Sequence, residues 1–142
     1  MIVSINIDFL AYHGHLPDPN NMPIDIITLA FYNVVSKERA MVINLERGKE
    51  LDKDIILQMI NMINDKKPQK IVGWNFEFDY DYLQKRCEIL GLTMELLSLN
   101  RIVKFDVMTN YQNKKIYGRL YDIAKRYNLN FEPFSFTCLD NR

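Results

Sequence analysis

The 142-residue sequence has little cysteine, no net charge and no long apolar run, and each of these features excludes a class of protein. Its two cysteines, Cys87 and Cys138, are far apart and form no metal-ligand pattern, which argues against a cysteine-based metal site. Eighteen basic residues balance eighteen acidic ones, so any contact with nucleic acid must come from a local patch rather than from overall charge. No stretch of about 18 apolar residues and no signal-peptide pattern occur, so we expect a soluble, cytoplasmic protein with no membrane partner.

The composition that is present is typical of one globular domain. Hydrophobic residues make up 48% of the chain and charged residues 25%, and a chain of this length buries about two thirds of its unfolded surface. No internal repeat or linker interrupts the sequence. We therefore predict one domain over residues 1–130, followed by a C-terminal tail over residues 131–142 that has no clear hydrophobic period.

Apolar runs and periodicities predict alternating strands and helices along the chain. Strands are predicted over residues 1–8, 24–32, 40–45, 71–74 and 101–107, and helices over about 52–65, 78–91 and 117–128. The first three strands suggest an antiparallel meander, and the segment between 91 and 101 is expected to be loosely organised. This order predicts an α/β fold with a mixed sheet, in which the meander is joined by parallel strands and flanked by helices.

The most informative stretch begins at Trp74 and ends at Gly91, which we expect to be the left-handed residue that closes a helix. Asp79 falls in the first turn of this predicted helix. On the helical pattern alone, Asp79 is an acid favoured by the helix dipole, and no further role is needed to explain it.

This stretch resembles the second exonuclease motif of family B DNA polymerases, in which an Asn is followed shortly by Phe-Asp and then by Tyr-Leu. The continuation over residues 83–91 is close to that of archaeal members. The resemblance implies the ribonuclease-H-like fold of the DEDD exonucleases, with Asp79 as a metal ligand and Asn75 beside the bound strand end. The family has three residues between the Asn and the Phe, whereas this chain has two, Phe76 and Glu77.

The resemblance also aligns the first acidic motif of the family, Asp-Ile-Glu-Thr-Leu, with the segment Asn-Ile-Asp-Phe-Leu over residues 6–10. Residues two apart on a strand share a face, so Asn6 and Asp8 are expected to project toward the same site. Asn6 replaces the acid that bridges both metals in the family, and Asp8 is one methylene shorter than the family Glu. The alternative for Asp8 is a loop acid that ends a strand.

In the family, four carboxylates hold two divalent ions, and hard oxygen ligands suit Mg²⁺ or Mn²⁺. The resemblance implies that Asp8 and Asp79 bind metal, with Asn6 and Asp106 as supporting catalytic residues. Asp106 follows the predicted fifth strand and has the alternative of capping a helix or a turn. Phe78 and Tyr82 belong to the same motif as Asp79, and we predict that they contact nucleic acid together with Asn75.

The fourth family acid lies in a Tyr-x-x-x-Asp motif that has no good match here. Residues 117–122 have the wrong spacing, and residues 134–138 have the spacing without the tyrosine or the acid. The resemblance therefore implies a 3′–5′ exonuclease-like domain, catalytically weakened or inactive, that acts on or binds the 3′ ends of single-stranded DNA. The alternatives are a non-catalytic module that docks to a DNA polymerase or another replication partner, and a fragment that acts beside a chain supplying the missing motif.

Overall fold

The computed structural model describes residues 1–10, 16–37, 41–112 and 125–126, which form one sheet and its helices. The strands are β1 (Ile2–Asp8), β2 (Ile26–Tyr32), β3 (Met41–Glu46), β4 (Lys70–Gly73) and β5 (Val103–Asp106). The helices are α1 (Lys53–Lys66), α2 (Phe76–Leu90), α3 (Thr93–Asn100) and α4 (Val107–Gln112). The predicted tail over 131–142 lies outside the described residues, as does the predicted helix over 117–128 apart from residues 125 and 126.

The five strands are ordered β3-β2-β1-β4-β5, so the first strand of the chain lies at the centre of the sheet. β1 pairs with β2 and β2 pairs with β3 in antiparallel orientation, which confirms the predicted meander. β4 is parallel to β1, and β5 is parallel to β4. The predicted α/β fold with a mixed sheet is therefore confirmed, and the carboxyl ends of β1, β4 and β5 lie at one edge.

The core lies between one face of this sheet and the first three helices. Val3, Ile5 and Ile7 of β1 are buried, while the alternate residues of that strand lie on the opposite face. α1 packs on β2, β3 and α3, and α2 packs on β1 and α3. The apolar stripe of α1 is fully or almost fully buried and comprises Ile55, Ile56, Met59, Ile60 and Ile63. Burial of each such side chain stabilises the fold by about 1.5–3 kcal/mol, so this layer contributes substantially to stability.

Helix α2 begins at Phe76 rather than near Phe78, so the predicted start was late. Asn75 adopts a left-handed conformation with φ of 52°, and this turn lets the helix begin directly after the strand. The predicted stop is confirmed, because Gly91 has φ of 74° and ends α2 as its left-handed C-terminal residue. The motif loop between β4 and α2 is therefore only two residues long, Trp74 and Asn75.

The prediction of a loosely organised segment after Gly91 was wrong, because this segment contains α3. Leu92, Leu96 and Leu99 are buried and recur at helical spacing, which places one side of α3 in the core. In the part of the chain that the structure describes, no helix is both long enough and apolar enough to cross a membrane.

Candidate functional site

The candidate site lies at the edge of the sheet where the carboxyl ends of β1, β4 and β5 meet the beginning of α2. β1 continues to Asp8, beyond its last pair with β4, which joins Ser4 to Val72. Among the described residues, the end of β1 is therefore bordered on this side by α2 rather than by a strand. This arrangement brings the first and second predicted motifs together, although about seventy residues separate them in the sequence.

Asp79 connects α2 to the end of β1. Its Oδ2 atom accepts a hydrogen bond from the backbone N–H of Ile7 at 3.3 Å, and the residue is only 8% exposed. The backbone N–H of Ile7 lies past the ladder with β4, so the carboxylate replaces the acceptor that a strand would have supplied. Asp79 therefore has a structural role at this position, and its role as a metal ligand stays a prediction.

Asn6 and Asp8 lie on one face of β1, as their spacing predicted. Nδ2 of Asn6 donates a hydrogen bond to Oδ2 of Asp8 at 2.6 Å, and Asp8 is 3% exposed. A neutral amide thus stands beside the buried carboxylate, where the resemblance implies a second acid. The pair carries less negative charge than two acids would, which weakens the attraction for a cation.

Asp106 caps the beginnings of two helices. Its Oδ1 atom accepts hydrogen bonds from the backbone N–H groups of Asn75 and Met108, each at 3.0 Å. Its Oδ2 atom accepts from the N–H of Phe76, also at 3.0 Å. Of the two alternatives for Asp106, the contacts show helix capping. Its supporting role in catalysis stays a prediction.

The three residues predicted to contact nucleic acid differ in exposure. Asn75 is exposed, and Phe78 is half-buried. Tyr82 is 3% exposed, its hydroxyl donates to the carbonyl of Met22 at 2.6 Å, and its ring packs edge-to-face on Phe9 at 5.0 Å. Asn75 and Phe78 therefore offer surface to a ligand. The nucleic-acid contact of Tyr82 stays a prediction, since the ring faces the core rather than solvent.

A buried ion pair near the site was missed by the sequence analysis. Nε and Nη2 of Arg86 donate to the two carboxylate oxygens of Asp52 at 2.9 and 2.5 Å, and Asp52 is fully buried. The hydrogen bond to Asp52 raises the pKa of the Arg86 guanidinium. The partners are 34 residues apart, so no local pattern joins them. The available signal is that Arg86 lies at helical spacing from Asp79 and Tyr82, on the side of α2 that also carries the buried residues Leu83 and Cys87.

Comparison with known proteins decides the family. A family model described as DNA polymerase family B, exonuclease domain, matches residues 1–130. The chain belongs to this family. Among solved structures, it is similar to the family B DNA polymerase from the hyperthermophilic archaeon Pyrobaculum calidifontis, with 23% identity and a TM-score of 0.53. The likeness covers 64% of this chain and 11% of that polymerase, and it supports the ribonuclease-H-like fold. A search of curated proteins finds no match.

The described part of this exonuclease-family chain does not provide a complete two-metal ligand set. Among the described residues, no group of three or more His, Cys, Asp or Glu side chains is arranged to hold a metal ion. Asp8 and Asp79 offer the oxygen donors that Mg²⁺ or Mn²⁺ prefers, whereas the Asn6 amide directs its nitrogen toward Asp8. Two metal ions would need acidic ligands in addition to these two carboxylates.

A cavity of about 220 Å³ adjoins the site and shares Asp106 with it. It is lined by Phe76, Glu77, Tyr80, Asp81, Lys104 and Asp106. Nζ of Lys104 donates to the carbonyls of Leu99 and Ile102, each at 2.9 Å, and lies 4.8 Å from the centroid of the Tyr80 ring. Burial lowers the pKa of Lys104 and raises that of Tyr80 to about 12. Lys104 thus joins the end of α3 to β5 and forms one wall of the cavity.

Proposed function

We propose that this exonuclease-family domain binds the 3′ ends of single-stranded DNA and that its 3′–5′ exonuclease activity is weakened or lost. The proposal rests chiefly on the 2.6 Å hydrogen bond from Asn6 to Asp8. An amide in the first acidic position removes one negative charge from the place where the family holds two dications. The side-chain N–H of Asn6 also occupies the Oδ2 atom of Asp8, which a cation would otherwise use. Asn6 therefore weakens metal binding both by its lack of charge and by this hydrogen bond.

The surface beside Asp79 supports retained binding of DNA. Asn75 is exposed at the start of α2, and the half-buried Phe78 follows one turn later. An aromatic ring beside an exposed amide suits a terminal nucleotide, because bases stack on aromatic rings without strong sequence preference. The chain has no net charge, so the affinity must come from this local surface and is expected to be modest.

The substitution Asn6→Asp tests the proposal by restoring the family acid. We expect Mn²⁺ affinity measured by calorimetry to rise, and Mn²⁺-dependent cleavage of a 3′-labelled single strand to exceed that of the wild-type chain. Asp79→Asn in the Asn6→Asp background is the matched control. The amide oxygen introduced by Asp79→Asn can still accept from the N–H of Ile7, so the control removes charge while keeping the backbone contact.

Two results would contradict the proposal. Wild-type cleavage equal to that of Asn6→Asp, and lost in Asp79→Asn, would show a competent exonuclease. A wild-type chain that binds no 3′-labelled strand, with or without Mn²⁺, would exclude retained DNA binding. Mg²⁺ is tested beside Mn²⁺, because both suit oxygen ligands.

The second candidate is a non-catalytic module that docks to a DNA polymerase or another replication partner. Edge strand β3 favours it, because Met41 and Val42 are 43% and 59% exposed and the preceding turn leaves Val35 93% exposed. Exposed apolar side chains on a strand at the edge of the described sheet are typical of interaction surfaces. The test is titration with a family B polymerase that lacks its own exonuclease domain, or with a chain carrying the missing fourth motif. Binding lost in Val42→Lys would support docking.

A further inference from the structure

Helix α2 is held by a row of polar contacts in addition to its apolar stripe. Asp79, Tyr82 and Arg86 are spaced three and four residues apart, so they share one face of the helix. Asp79 accepts from the N–H of Ile7 at 3.3 Å, and the Tyr82 hydroxyl donates to the carbonyl of Met22 at 2.6 Å. All three side chains are buried, so this polar row faces the sheet and the segment before β2 rather than solvent.

Arg86 makes the most constrained contacts of this row. Its guanidinium donates to both oxygens of Asp52, and its Nη1 atom donates to the carbonyl of Pro19 at 2.8 Å. Asp52 immediately precedes α1, and its Oδ2 atom also accepts from the N–H of Ile24 at 2.9 Å. A planar guanidinium bound at both carboxylate oxygens permits little rotation, so these contacts fix α2 relative to α1 and to residues 19–24.

We propose that the Asp52–Arg86 pair is a positioning device that fixes the rotation of α2 and thereby holds Asp79 against the end of β1. Apolar packing has no directional requirement, so it defines the rotation of α2 less closely than directional hydrogen bonds do. The contact between Asp79 and Ile7 is sensitive to that rotation, since at 3.3 Å it is already near the long end of the hydrogen-bond range. Arg86 lies two turns after Asp79 on the same face of α2. Its fixed geometry with Asp52 therefore restrains the position of the Asp79 carboxylate more closely than apolar packing alone would.

Stability alone does not account for a pair of this kind. Buried ion pairs lose much of their attraction to desolvation, and well-packed neutral residues of similar volume are often as stable or more so. A site that needs Asp79 held at the end of β1 would account for a directional pair at this position. The functional importance of the pair therefore rests on the function proposed above, whereas its effect on the Asp79–Ile7 contact does not depend on that function.

The test removes the pair while retaining the fold. The double variant Asp52→Asn/Arg86→Met eliminates both buried charges, and the amide oxygen introduced by Asp52→Asn can still accept from the N–H of Ile24. Hydrogen exchange of the Ile7 amide is compared with that of Leu29, a fully buried residue of β2. We expect protection at Ile7 to fall by about tenfold or more relative to Leu29. Arg86→Lys keeps the charge but cannot bind both carboxylate oxygens in the plane of a fork, so we expect a smaller fall in the same direction.

The outcomes separate the two proposals. Unchanged relative protection at Ile7 in a folded double variant would overturn the positioning role. If that variant does not fold, unchanged protection in Arg86→Lys overturns it instead. Reduced protection at Ile7 together with weaker binding of Mn²⁺ or of a 3′-fluorescein oligothymidylate supports both proposals. The wild-type chain could also bind neither Mn²⁺ nor the oligothymidylate. Reduced protection at Ile7 in the variants would then support the positioning role and contradict the proposed function.

Discussion

The capping role of Asp106 gives the sharpest quantitative prediction. Its carboxylate accepts three backbone N–H groups, two at the beginning of α2 and one at the beginning of α4. Loss of one helix cap costs about 0.5–2 kcal/mol, so removal of a group that caps two helices should cost about 2–3 kcal/mol. We therefore expect Asp106→Ala to lower the free energy of unfolding by about 2–3 kcal/mol.

Two further variants show whether the hydrogen bonds cause this loss. Asp106→Asn keeps one acceptor oxygen, which can serve two of the three N–H groups, so about a third of the loss is expected. Asp81→Ala removes an exposed carboxylate from α2, the helix whose beginning Asp106 caps, and should change stability by less than about 0.5 kcal/mol.

Urea denaturation followed by fluorescence of Trp74 measures these differences. Trp74 is the single tryptophan and directly precedes the capped turn, so its emission reports on this part of the fold. A loss below about 0.5 kcal/mol in Asp106→Ala would refute the capping account. A loss of nuclease activity without loss of stability would instead favour the supporting catalytic role predicted for Asp106.

Three more predictions follow from packing and burial. A Cβ atom at Gly73 would lie 2.7 Å from the Cβ of Phe76. Gly73→Ala should therefore lower the free energy of unfolding, measured with heat or urea, by about 1–3 kcal/mol. Gly48→Ala is the control, since its Cβ would meet nothing within 4 Å. Burial raises the pKa of Tyr80 from 10.0 to about 12, so folding favours the neutral phenol. The stability gained is fully present below pH 10.0 and is lost as the pH rises to about 12, and Tyr80→Phe should reduce that loss in unfolding measured against pH. Burial also raises the pKa of the Cys87 thiol from 9.0 to about 12, so iodoacetamide near pH 9 should modify native Cys138→Ser protein at least about a hundredfold more slowly than the urea-unfolded chain. Equal rates would mean that Cys87 is accessible.

The parts of the fold that depend on local pattern could be predicted from the sequence. The meander follows from β-branched runs, α1 from its four-residue apolar steps, and the end of α2 from Gly91. The segment of α3 carried the same kind of signal in Leu92, Leu96 and Leu99, but its eight residues give too few repeats to stand out beside the polar residues between them.

The parts that depend on distant contacts could not be predicted. The early start of α2 follows from Asp106, which reaches the N–H groups of Asn75 and Phe76 across about thirty residues of sequence. The Asp52–Arg86 pair joins two helices that no spacing rule relates. For the site, alternation correctly placed Asn6 beside Asp8, whereas the bond between their side chains depends on three-dimensional geometry.

The central position of β1 has a consequence for the order in which the protein folds. β1 can pair with β2 as soon as the meander has been synthesised, because these strands are neighbours along the chain. The other side of β1 can pair only after β4 has been synthesised. The amine of Met1, for example, donates to the side chain of Gln69, which is 68 residues away in the sequence. Closing so long a loop is entropically costly, and parallel pairing of this kind is slow. We therefore expect the antiparallel half of the sheet to form first, so that the edge bearing Asp8 and Asp79 is completed only after α1 and β4 have docked.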